Sequence, residues 1–194
     1  MSDSFAQYGD FLPVFMGFSQ YTVIMSAVIL DCERKMQMNQ IRRAEPKDIS
    51  GLLRLLVQVD MVHHNGRPDL FKGPATKYSA EELEQILKDE KTPVFVCVSE
   101  QGNVLGHAFC MHKQVLGDSV LTDVRTLYID DICVDEQARG QGVGSALYRA
   151  VQEYARTNHF YNITLNVWAC NPTAMKFYEK CGLKPQKIGM EMIL

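Results

Sequence analysis

Three groups of residues in this chain have types and spacings suited to chemistry. The first is the run Gln137-Ala-Arg139-Gly140-Gln141-Gly142-Val143-Gly144-Ser145, a glycine turn with an arginine inside it. Glycine carries no Cβ, so a ligand can approach the backbone closely there. Free N–H groups and the positive dipole end of a helix that follows such a turn favour an anion such as phosphate. Arg139 adds a cation at the same place. The second group is the acidic pair Asp130-Asp131, set in the otherwise apolar stretch Leu127 to Val134. Buried carboxylates need partners, and successive side chains on a strand point to opposite faces, so one acid is expected in a cleft or on a cation. The third is Tyr178, whose phenol has an ordinary pKa of about 10 and can therefore donate a proton at neutral pH.

The elements that must position these groups are legible from periodicity. Asn39 to Ala44 reads as a short strand. A helix starts at Pro46 and carries Ile49, Leu52, Leu53, Leu56 and Val59 at helical spacing. The periodicity stops near His63-His64, where Gly66, Pro68, Gly73 and Pro74 predict a loop. Ser79-Ala-Glu-Glu82 is a capping-box pattern for a second helix. Pro93–Val98 and Val104–Met111 flank a turn and predict a hairpin. Leu127–Val134 is a further strand, running straight into the glycine turn. Val143, Ala146, Leu147, Ala150, Val151, Tyr154 and Ala155 then keep an unbroken i, i+3, i+4 series. Asn162–Trp168 is expected as a strand and Asn171–Lys180 as a short helix. Gly182 sits where a helix-ending glycine belongs, and Lys187–Leu194 is expected as the last strand. The domain therefore spans 39–194, with 1–38 as an N-terminal extension.

Composition narrows the classes of function. The 194 residues are 46% hydrophobic and 22% charged, with a net charge of −3, which gives no basic footprint for nucleic acid. The six cysteines lack CxxC spacing, so neither a zinc site nor a dithiol redox motif is supported. Free thiols in apolar stretches fit a reducing, cytoplasmic setting. The uncharged run Phe11–Leu30 is long enough to span a bilayer, but Pro13, Gly17, Ser19, Gln20, Thr22 and Ser26 interrupt it. No Lys or Arg precedes it, as a signal peptide would require. The expectation is an attached extension, not membrane insertion.

Of the phosphate-binding patterns, a Walker loop fails for want of Gly-Lys-Ser/Thr. A dinucleotide turn fails because the glycines are spaced GxGxG and no acid occurs from Tyr154 through Tyr178. Gln137-Ala-Arg-Gly140-Gln-Gly142 instead resembles the Q/R-x-x-G-x-G/A signature of the GNAT acetyltransferase superfamily. Ile132-Cys133-Val134 resembles the strand that precedes it in that family. Asn171-Pro-Thr-Ala-Met-Lys-Phe-Tyr178-Glu-Lys-Cys-Gly182 resembles a second family signature. The resemblance covers about 41–194, with the specific motifs between about 127 and 183.

What the resemblance implies is an α/β GNAT fold: a mixed, largely antiparallel sheet flanked by helices, with splayed strands holding acetyl-CoA. The cofactor site would comprise the backbone of Ile132, Cys133 and Val134, the turn residues Gln137, Arg139, Gly140, Gln141, Gly142, Val143, Gly144 and Ser145, and Asn171. Tyr178 would be the general acid. The acidic strand is similar to that of diamine and polyamine members, which would make Asp130 the base and Asp131 a substrate ligand. A structural pairing of either acid with Arg or Lys is the competing expectation. The implied activity is acetyl transfer from acetyl-CoA to a primary amine, of a small molecule, by direct attack in a ternary complex and without a metal. A homodimer is common in such families. Acetylation of a protein N-terminus or lysine, and non-catalytic binding of acyl-CoA, are the alternatives.

Overall fold

The described residues, 39–194, come from a computed structural model, and the uncharged run at 11–30 lies outside them. Their order is β1 (Gln40–Arg43), α1 (Ile49–Gly66), α2 (Ala80–Lys88), β2 (Val94–Val98), β3 (Val104–Lys113), β4 (Thr126–Val134), α3 (Val143–Thr157), β5 (Asn162–Leu165) and α4 (Pro172–Lys180). The strands form one five-stranded sheet in the order β1-β2-β3-β4-β5. All neighbours are antiparallel except β4 and β5, which run parallel. This is the expected mixed, largely antiparallel sheet.

Two apolar layers cover its faces. Leu52, Leu55 and Leu56 of α1 and Leu83 of α2 pack on Val94, Val96, Val104, Phe109 and Cys133. On the other face Leu147, Val151 and Ala155 of α3 pack on Phe95, Ala108, Leu127 and Ile129. Those α3 residues are the ones its periodicity marked for burial. Cys97, Cys110 and Cys133 are free and buried within these layers. Burial pushes the thiols up, Cys97 to about 11 and Cys110 and Cys133 to about 12.

The capping box is formed. The Ser79 hydroxyl accepts from Glu82 N at 3.2 Å and a Glu82 carboxylate oxygen accepts from Ser79 N at 2.7 Å. Replacing Ser79 by Ala is expected to lower stability by about 1 kcal/mol. The loss is read as a lower urea midpoint with an unchanged slope.

Four expectations need correction. The first helix does not end near His63 but runs on through His63, His64 and Asn65 to Gly66. Gly66 is tolerated there because a Cβ would lie 2.8 Å from the Cys170 Sγ, so only glycine lets the two segments approach. β5 stops at Leu165 instead of Trp168. Lys187–Leu194 forms no strand. Its alternating Ile188, Met190, Met192 and Leu194 stand exposed, without a ladder partner among the described residues. The fourth correction concerns the acidic pair and arises from β4 itself.

Candidate active site

β4 carries a register shift against β3: Phe109 lies opposite Asp131, while the next β3 residue, Cys110, lies opposite Ile129. Asp130 is thus the extra residue of a bulge, and a bulge re-aims the side chains around it. Both acids consequently point to the same face, not to opposite ones. Asp130 Oδ2 accepts from Tyr78 OH at 2.9 Å and from Lys77 Nζ at 2.5 Å. Asp131 Oδ2 lies 2.7 Å from His107 Nε2. The Tyr78 and His107 rings flank the same Phe109, with centroids 5.6 and 5.0 Å away. The pairing of Asp130 with a lysine is the structural alternative weighed from the sequence. The ammonium of Lys77 rises above its ordinary value: burial opposes the charge, but Asp130 outweighs it.

Beyond Ile129 the two parallel strands part. β4 pairs with β5 only from Thr126 to Ile129, yet β4 continues to Val134. The β5 side of residues 130–134 therefore has no strand partner among the described residues, and its backbone groups are available to an extended ligand. The side chains of this stretch are engaged elsewhere. Ile132 and Val134 pack into the α3 layer, and Cys133 Sγ donates to Leu55 O at 3.6 Å.

At the end of β4 the chain turns into the glycine run. Gly140 and Gly142 have φ of +75° and +81°, a region that side-chain-bearing residues enter at a cost. Gly142 is the N-cap of α3 and supplies no capping side chain. The first N–H groups of α3, from Val143 to Ser145, thus lack a side-chain cap, the arrangement that receives an anion. A Cβ at Gly144 would stand 3.4 Å from Val134 and 3.5 Å from Phe177, so the first turn of α3 sits against β4 and α4. Gln141 Nε2 donates to Gln137 O at 2.9 Å, bracing the turn. Arg139 Nε donates to Val134 O at 3.3 Å, which places the guanidinium at the mouth of the strand gap.

The sequence did not reveal what holds this turn in place. Asp135 accepts from Gln137 N at 3.0 Å and from the Arg54 guanidinium. Arg54 also donates to Val104 O at 2.8 Å. Burial works against the Asp135 charge, but Arg54 and the Gln137 amide hold its carboxyl below the usual range. Asp135 lies two residues before Gln137, and an acid at the start of a turn is the signal that could have pointed to it.

α4 completes the cleft. Asn171 caps it through Oδ1, which accepts from Ala174 N at 3.1 Å. Tyr178 is half-buried. Burial first, then the charges of Asp131, Cys181, Cys133 and Tyr148, push its phenol well above the ordinary value. The Tyr178 phenol therefore holds its proton throughout the neutral range.

The expected loop after α1 supplies the opposite wall. Phe71 packs edge-on to Trp168 with centroids 5.0 Å apart, and His64 Nδ1 bonds Phe71 O at 2.7 Å. Arg67 is held by Asp69 at 2.7 Å and by Glu191 at 2.7 Å. His63 stacks on Phe71. None of these residues touches the acidic pair through a hydrogen bond. Among the described residues, no group of three or more His, Cys, Asp or Glu side chains is arranged for a metal. No helix among them is long and apolar enough to cross a membrane.

Residues 60–183 match the Acetyltransferase (GNAT) family. The chain belongs to this family. Its GNAT fold also appears in the solved tetramutant of the BH1408 protein from Bacillus halodurans, with 30% identity and a TM-score of 0.76. That match covers 80% of this chain and 99% of the other. A glucosamine 6-phosphate N-acetyltransferase 1 of Oryza sativa subsp. japonica is 35% identical over 66 residues, or 34% of this chain and 38% of that protein. An N-acetylaspartate synthetase of Xenopus tropicalis is 43% identical over 51 residues, or 26% of this chain and 19% of that protein. The chain thus spans well under half the length of these curated relatives. The similarity of its acidic strand to diamine and polyamine members finds no counterpart among these relatives.

Proposed function

We propose that this GNAT chain is an acetyl-CoA-dependent N-acetyltransferase acting on the primary amine of a small molecule. The observation that carries the reading is the convergence of an uncapped glycine helix start, an unpaired strand edge and a half-buried tyrosine around one cleft. The backbone N–H groups of Val143, Gly144 and Ser145 and the Arg139 guanidinium are suited to the pyrophosphate. The backbone of Ile132 to Val134 is suited to the pantetheine amides, and Asn171 to the same arm. The thioester supplies the acetyl group. Tyr178 keeps a proton for the departing sulfur, which general acid catalysis requires. Direct attack in a ternary complex is favoured, because the one thiol on β4, Cys133, is buried and raised to about 12, which leaves it without nucleophilic thiolate at neutral pH.

The acceptor reading draws on two features. Related enzymes carry names that specify an amino-sugar phosphate. In this chain Lys77 already fills the position beside Asp130, so a second substrate ammonium would compete with an internal one. That favours a monoamine over a diamine.

The test is thiol release from acetyl-CoA against hexosamine phosphates, aminoglycosides, diamines, amino acids and short peptides. Turnover with a small monoamine is the expected result. Turnover with peptides alone would move the assignment to protein acetylation. Tight acetyl-CoA binding by calorimetry without any turnover would make the chain a binding module.

A further inference from the structure

We propose that Asp131, not Asp130, is the carboxylate that accepts the amine proton, and that His107 is its positioning residue. The inference rests on the transferase reading. It starts from a histidine that the sequence left without a role: His107, in the apolar run of β3, has 0% exposure. It lies directly opposite Cys133, with Asp131 on the diagonal, a separation that long side chains on one face can bridge. Its Nε2 is 2.7 Å from Asp131 Oδ2, and its Nδ1 is buried with no hydrogen-bond partner among the described residues.

An ionised carboxylate only accepts hydrogen bonds. Nε2 must therefore carry the hydrogen, and in the neutral ring Nδ1 is bare. A buried polar atom without a partner is destabilising. A phenylalanine at this position would carry no such cost. The ring that is present spends its one donor on Asp131, pinning Oδ2 and presenting Oδ1. Asp130 differs in kind. Its Oδ2 is already neutralised by the Lys77 ammonium and bonded by Tyr78. Asp131 has no Lys or Arg partner among the described residues, so its carboxylate is the one left open to a substrate ammonium.

In the step this implies, Asp131 Oδ1 takes one N–H proton from the docked ammonium and frees the nitrogen lone pair for the thioester carbon. Tyr178 gives its hydroxyl proton to the sulfur as the C–S bond breaks and recovers one from the nitrogen. Asp131 passes its own proton to water. Ammonium and thioester thereby become amide, thiol and one released proton.

Two measurements on the full chain test the proposal. Imidazole 15N NMR reads the tautomer without turnover. The expected result is an Nε2–H ring with bare Nδ1, whose shifts change in Asp131→Asn; an Nδ1–H ring would overturn the pairing. Kinetics of His107→Phe, His107→Gln, Asp131→Asn and the Asp131→Asn/His107→Phe double variant form the second arm. His107→Phe is expected to lower kcat by about 10- to 100-fold, less than the about 10²–10⁴-fold of a proton-transferring group itself, with the KM for acetyl-CoA unchanged. His107→Gln, which retains an N–H donor, should recover part of the loss. The double variant should be no slower than Asp131→Asn alone, because His107 acts through Asp131. Additive losses, or no recovery with glutamine, would reduce His107 to a packing residue. Absence of turnover in the unaltered protein would refute the transferase reading and this role together, whereas turnover with additive losses refutes the role alone. If His107→Phe fails to fold, the glutamine variant and the tautomer decide.

Discussion

Tyr178→Phe is expected to lower kcat by about 10²–10⁴-fold, the range for a positioned proton donor, while acetyl-CoA binding measured by calorimetry stays unchanged. The substitution removes one oxygen and keeps the ring that abuts Phe177, so packing is preserved. The pH profile gives the claim its sign. Burial and the charge of Asp131 raise the phenol above its ordinary value, so the donating form persists as pH rises. In the unaltered protein kcat should therefore show no loss of this donor below pH of about 10. An alkaline fall between neutrality and that point, absent in Tyr178→Phe, would show that the phenol titrates early and that the electrostatic picture of the cleft is wrong. A variant that keeps full activity would remove Tyr178 from the chemistry altogether.

Leu147→Ala is expected to cost about 2–5 kcal/mol of folding stability, the span for a buried leucine truncated in a packed core. Leu147 has 0% exposure and sits on α3 just past the glycine turn. It interlocks with β3 at Gly106, where a Cβ would come within 3.0 Å of Leu147 Cδ1 and 2.8 Å of Cys133 O. The truncated side chain thus withdraws support from the helix whose first turn is proposed to receive the anion. Urea unfolding should show a lower midpoint, and acetyl-CoA at 100 times its Kd should restore about 2.7 kcal/mol if it binds the folded state alone. A cost below about 1 kcal/mol would mean that the site collapses around the gap. Failure of acetyl-CoA to protect would separate the helix from the cofactor.

The parts that could be read in advance were those whose cause is local. Glycines at 140 and 142 announced a turn into the helix, and the turn is there, with positive φ at both. Leu147, Val151 and Ala155 announced a buried stripe, Ser79 and Glu82 a reciprocal cap, and Asn171 the start of a short helix. Each depends on residues a few positions apart. What escaped depends on distant partners. A bulge at Asp130 leaves no trace in the alternation of β4, because one extra residue is visible only against the facing strand. The pairing of His107 with Asp131 bridges 24 positions. The only sign of it was a histidine inside an apolar run. The α1 helix continues to Gly66, where the glycine packs closely on Cys170, against the local vote of Gly66 and Pro68 for a loop. Ile188, Met190, Met192 and Leu194 alternate as a strand should, but alternation cannot supply the neighbour a ladder needs.

The deep placement of Cys97, Cys110 and Cys133 has a consequence for a protein whose reaction would release a free thiol. With values near 11 and 12, the fraction of each present as thiolate at neutral pH is about 10⁻⁴ to 10⁻⁵, and only the thiolate attacks disulfides. These side chains are thereby insulated from mixed-disulfide formation with oxidised coenzyme and from the colorimetric disulfide reagents used to count liberated thiol. The half-buried Cys170 and Cys181 would give a prompt background colour, and a slower second rise in the absence of any amine would time the opening of the core.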